Sequence, residues 1–166
     1  MLSRLFKHDS GAAAAEMALV APLLMLIMFG SMELGHYFYS EHVVVKAVRD
    51  GARFASRQGF ADYTCPGNGV SSTVVTDTQR VTRTNQVAAG GTPRLADWTS
   101  DASVTVTVTC FDNSSGTYAS FYEGTGQFPV VTVSATVPYT SLFKVIGFTS
   151  AGLQLRSSEQ AVVMGI

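Results

Sequence analysis

The chain has 166 residues, which suits one domain plus an anchor, and only 14% of them are charged against 46% hydrophobic, a balance that fits a protein living partly in lipid and partly in an assembly. Its formal net charge of −1 excludes a basic field for nucleic acid and an acidic tail for a basic partner. All the histidines, His8, His36 and His42, precede residue 60. The remainder therefore has no histidine for a Ser-His-Asp or Cys-His nucleophile or for an ordinary zinc site.

In chain order, Arg4 and Lys7 against Asp9 come first. Positive charge ahead of an apolar run keeps the N-terminus in the cytoplasm and sends the rest of the chain across the membrane. The run itself, Gly11 to Glu33, is a glycine, four alanines, Glu16 and an almost unbroken apolar stretch. As a helix its roughly 21 residues from Ala12 would cross the ~30 Å hydrocarbon layer. It is longer than the apolar centre of a secretory signal, and no small-x-small site followed by a polar mature start closes it, which argues against cleavage after it. Glu16 costs roughly 2.5 to 3.5 kcal/mol if held near mid-bilayer. Either the charge serves some purpose, or it lies close enough to the edge to snorkel. Pro22 has no N–H to donate and predicts a kink or a free carbonyl. Gly30, Ser31 and Gly35 offer a smooth patch for close helix contact.

From Glu33 the helix is predicted to run on to about Arg57, Leu34, Phe38, Val45, Val48, Ala52 and Ala55 forming one side. Tyr37 and Tyr39 belong at the lipid boundary. Lys46 with Asp50 and Asp50 with Arg53 have the spacing of surface pairs. Gly51 weakens its turn unless a close neighbour needs the space, and Gly59 is a natural stop.

Beyond a loop containing Cys65-Pro66-Gly67-Asn68-Gly69, Asp77 is placed to cap a short helix ending near Ala89 before Gly90-Gly91. Alternation then sets in: Val104, Val106, Val108 and Cys110 against Thr105, Thr107 and Thr109 predict a half-buried strand. Val131 to Val137, stopped by Pro138, predicts a second and Leu153 to Val163 a third. The intervening Asp112–Gly126 loop carries Tyr118, Phe121 and Tyr122, which either pack on the sheet or meet a partner. The other connection, residues 139–150, is apolar through Leu142, Phe143, Val145, Ile146 and Phe148. Three strands with one apolar face need a cover, and the outer half of the long helix supplies it. The expected fold class is α+β, a long N-terminal helix packed on a small antiparallel sheet.

Cys65 and Cys110 both lie beyond the membrane, in an oxidising compartment if the topology holds. A bridge between them is the expectation and two free core thiols the alternative. No phosphate-cradling or dinucleotide motif is present. Asp112-Asn113-Ser114-Ser115-Gly116 lacks the alternating oxygens and distant glutamate of a calcium loop and reads as a turn. Asp97 and Asp101 read as solvated loop carboxylates. No cofactor or metal is expected, and no enzyme.

The segments "GAAAAEMALVAPLLMLIMFGSMELGHYFY" and "AVRDGARFAS" are similar to the TadE-like pseudopilins of tight-adherence (Flp-type) pilus systems, over Gly11 to about Gly59. The resemblance implies a pilin-like fold and a prepilin peptidase cut after Gly11. The alternative for Gly11 is a flexible turn before the helix. The implied layout is a leader over 1–11, a transmembrane segment over 12–33, an amphipathic extension over 34–59 and a periplasmic domain over 60–166. It also implies pairing of a new Ala12 amine with Glu16 of its own or a neighbouring subunit, other pilin subunits and an inner-membrane assembly platform as partners, and an inner-membrane location. Major Flp pilins carry tyrosine directly after that glutamate; Met17 here points to a minor component. The rival from another class is an unprocessed, membrane-tethered binding or adhesion module.

Overall fold

The computed structural model describes residues 9–118, 122, 126–144, 147, 150 and 152–165. Arg4, Lys7, His8, Phe121, Val145, Ile146 and Phe148 lie outside the described residues.

One helix, α1, runs unbroken from Asp9 to Ser56. It passes through Gly11, so no turn forms there, and through Pro22, which leaves the Ala18 carbonyl without its usual intrahelical donor. After a short 3-10 turn at Phe60–Asp62 come the two-residue strands β1 (Tyr63–Thr64) and β2 (Gly69–Val70), then α2 (Ser72–Thr84) and a second 3-10 turn at Asp101–Ser103. The chain then forms three strands, β3 (Val104–Asp112), β4 (Gln127–Pro138) and β5 (Gln154–Val162), as an antiparallel sheet in the order β3-β4-β5.

The outer half of α1 covers one face of this sheet, against β4 and β5, with α2 beside it. This is the α+β arrangement the sequence predicts. Burial alternates along β3 as its Val/Thr pattern requires. Central β4 is buried over much of both faces. Val131, Val133, Ala135 and Val137 point into the core with Leu155, Val104 and Trp98. On the other face Phe128 stacks on Phe111 and Tyr122, with Tyr118 edge-on to it. Tyr118 and Tyr122 therefore pack on the sheet.

The buried stripe of α1 is rotated from the predicted one. Ser40, Val44, Ala47, Val48, Ala52 and Ala55 face the core, whereas Leu34 and Phe38 are exposed and Val45 only half-buried. Small residues win this face because the helix approaches α2 and the sheet closely. At Gly51 an added Cβ would collide with Thr82 Oγ1 and come within 3.5 Å of Val133 Cγ1. Thr82 is fully buried and donates to the Thr78 carbonyl at 2.7 Å, so its hydroxyl cannot turn aside freely. Glycine is here the condition for helix–helix contact.

Other local expectations shift too. α2 begins at Ser72, with Ser71 accepting from the Val74 amide, while Asp77 lies inside the helix 3.6 Å from Arg80. It ends at Thr84, before Ala89, because Asn85 takes the left-handed cap at φ 61°. Gly59 is extended at φ −63°, and α1 stops at Ser56 without a left-handed glycine. Asp50 is held across the fold by Arg94 at 2.8 Å and not by Lys46 or Arg53; a partly buried tertiary partner outweighs exposed intrahelical ones. Tyr37 is half-buried against Tyr139, at 5.1 Å between ring centroids, while Tyr39 is exposed.

A disulfide joins Cys65 to Cys110, with 5.8 Å between Cα atoms and 45 residues of separation. It fastens the β1–β2 hairpin to the end of β3, where the Cys110 amide also donates to Asn68 Oδ1 at 2.8 Å. Closing a loop of this size stabilises by ~4 kcal/mol in the chain-entropy model. Tyr63 is buried and donates its hydroxyl to the Ala55 carbonyl, tying the same hairpin to α1.

This packing has two measurable consequences. Gly51→Ala destabilises the domain by about 1–3 kcal/mol through overpacking, read as a lower midpoint in unfolding followed by fluorescence of the buried Trp98; adding Thr82→Ala recovers part of the loss. Burial, and then the Asp62 charge, push the Tyr63 phenol from 10.0 up to about 12. The folded state keeps a proton that the unfolded chain gives up near pH 10, so stability present below pH 10 falls between pH 10 and 12. In Tyr63→Phe the fall over that window is shallower, as measured by denaturant titration at a series of pH values.

Candidate functional site

Among the described residues, few cover the inner half of α1. No residue in its most apolar window is buried, Leu19 being 80% exposed and Leu26 70%. Water penalises such a surface by roughly 25 cal/mol per Å² of apolar area, so lipid or other helices must complete it. The length and hydropathy of this half suffice for a single membrane crossing. Gly11, Ala12, Glu16 and Pro22 all lie on this rod; Gly11, Ala12 and Glu16 are exposed, as is Pro22. A Cβ at Gly11 would meet nothing within 4 Å, so packing inside this chain does not require the glycine. Glu16 comes five residues after Gly11 on the same continuous helix. Cys65 and Cys110 stand apart from this rod, in the sheet domain.

At the outer end of the apolar half lies a cluster the sequence did not predict. Tyr139, just after β4, donates its hydroxyl to Glu33 Oε1 at 2.8 Å, and the Leu142 amide donates to Glu33 Oε2 at 3.1 Å. His36 Nδ1 lies 3.1 Å from the same tyrosine hydroxyl. Phe143 packs edge-on against Phe29 at 5.2 Å. The β4–β5 connection thus folds down onto α1, and one carboxylate receives donors from both its side chains and its backbone. Burial first, and then Glu33 as hydrogen-bond acceptor and charge, push the Tyr139 phenol up to about 12. Between this loop and α1 opens an apolar groove of about 570 Å³, lined in part by Leu26, Phe29, Gly30, Leu34 and Leu153.

Among the carboxylates weighed for chemistry, Asp101 is taken by Arg83, and Asp112 accepts from the Ser114 amide and hydroxyl, closing a local turn. Neither converges on a cleft with a nucleophile. Glu33→Ala removes the acceptor for the Leu142 amide, and the loss of a hydrogen bond worth roughly 1–3 kcal/mol when left unmade should speed exchange of that amide about tenfold or more. Hydrogen-exchange mass spectrometry of the loop reads this, with the core strands unchanged.

Comparison with known proteins adds one likeness. No curated protein and no solved structure matches the chain. A family model described as TadE-like protein matches residues 11–53, which take in the apolar half of α1, Glu33 and most of the face beneath the sheet. TadE-like proteins are not a family of enzymes, and they are tied to tight-adherence pilus systems. The likeness to the TadE-like family is thus confined to residues 11–53, the long helix.

Proposed function

We propose that the protein is a membrane-anchored pseudopilin or minor pilin, trimmed after Gly11 by prepilin peptidase and acting in assembly of a tight-adherence pilus. The observation that carries this reading is the uncovered apolar half of α1 with Glu16 exposed upon it, five residues after Gly11. Such a rod needs a partner that is apolar along its length and supplies one positive charge near its start. A mature subunit offers both: an identical apolar helix, and a free amine at Ala12. Pairing of Glu16 with that amine, in its own chain or a neighbour, offsets the burial of both charges. Gly11 favours the cut because glycine holds a helix about 1 kcal/mol less firmly than alanine, so the backbone opens there more readily. Pro22, by removing one backbone bond, leaves the rod easier to bend as it passes from lipid into an assembly.

The sheet domain then stays outside the bilayer on the far side from Met1, with its disulfide in an oxidising compartment. Partners on this reading are prepilin peptidase, other pilin subunits and the inner-membrane assembly platform.

N-terminal sequencing of protein isolated from its native membranes tests the processing step: the expected chain begins at Ala12, and Gly11→Val blocks the cut. A functional chain that retains residues 1–11 contradicts it. Glu16→Ala should be trimmed normally yet be missing from sheared filaments; equal recovery with the unmodified chain removes the charge-pairing role.

A further inference from the structure

We propose that the β4–β5 loop is itself a membrane contact, seated in the leaflet next to the sheet domain and held at the depth of Glu33. The inference rests on residues 12–33 spanning the bilayer. Given that span, Phe29 lies about 6 Å inward of Glu33 at ~1.5 Å per residue. Phe143, in ring contact with Phe29, must then reach the edge of the hydrocarbon.

Six described amides of the loop are bonded within the chain. The Leu142 amide donates to Glu33, the Ser141 amide to Ser150 Oγ and the Phe143 amide to Ser141 Oγ. The Lys144, Gly147 and Leu153 amides donate to the carbonyls of Ser141, Lys144 and Ser150. Such turn bonds also form in water; at the edge of hydrocarbon, where each unbonded group costs several kcal/mol, they lower the cost of seating these residues there. The Glu33 carboxylate is met by Tyr139 and Leu142, so it does not present a bare charge to lipid.

The side chains complete the case. Leu142 and Leu153 are exposed, 47% and 52%, next to Leu34 at 54% on α1. Leu153 and Leu34 line the groove together with Leu26 and Phe29, so the surface of Leu153 is continuous with the apolar half of the helix. Lys144 is exposed among them, and its stem lets the ammonium reach lipid phosphate while the carbons stay in the apolar layer. Bilayer lipid is the occupant that matches this order of apolar surface, largely bonded backbone among the described residues, and one cation.

The test uses the full chain in phosphatidylglycerol/phosphatidylcholine vesicles whose lipids carry bromine on the upper acyl chain. Trp98 is the chain's one tryptophan and is buried in the core, so the unmodified protein supplies an unquenched background. Leu142→Trp should lose more than half of its added emission to brominated lipid, and Leu153→Trp, at a second exposed position, should do the same. Leu24→Trp reports the span. If it is quenched while both loop tryptophans are not, water or protein, a second copy included, covers the loop and the inference falls alone. If none of the three is quenched, the span fails and the inference fails with it.

Discussion

Everything in this fold depends on one helix that must satisfy two environments at once. Along its outer half α1 presents Ser40, Val44, Ala47, Gly51 and Ala55 to α2 and the sheet, a narrow face of small side chains that allows close approach. Along its inner half it presents large apolar side chains that, Phe29 against Phe143 apart, the described residues leave uncovered. Burial of the first half stabilises the domain. Exposure of the second is tolerable only where water is absent. The same rod therefore both organises the core and dictates where the protein resides.

The domain is fastened to this rod at three levels. Near its outer end Tyr63 bonds the Ala55 carbonyl and the Met164 amide bonds the Ser56 carbonyl at 2.8 Å. Midway, Arg94 reaches Asp50. At the level where the apolar half begins, Glu33 receives Tyr139 and Leu142. Polar ties placed along a helix fix the rotation and height of a domain more sharply than apolar packing, which is non-directional. For a subunit whose helices are to pack side by side, a fixed height of the domain above the apolar rod is a functional property.

Features written in periodicity were legible from the residues. The Val/Thr alternation of β3, the apolar run of α1 and the strand that ends at Pro138 each arise from a local pattern. Contacts between distant residues were not legible. Glu33 and Leu142 are separated by 109 positions and Asp50 and Arg94 by 44; nothing at either end signals the other. The rotation of the buried stripe on α1 escaped prediction for a related reason. Spacing along the helix suggested that Leu34 and Phe38 should lie inside, whereas the core selects small residues where helix meets helix and leaves those two exposed near the apolar half. Trp98, buried among the valines and donating to Ser103 Oγ at 2.6 Å, sits in a segment with no periodicity at all. Its one available signal was being the only tryptophan in the chain.

The account's central claim is that the inner half of α1 is completed by lipid or by other helices, never by water. Washing native membranes with alkaline carbonate, which strips peripheral proteins but not helices held in the bilayer, addresses it most directly. The account predicts that the chain stays with the membrane pellet; its release into the supernatant as a folded, dispersed protein would contradict it.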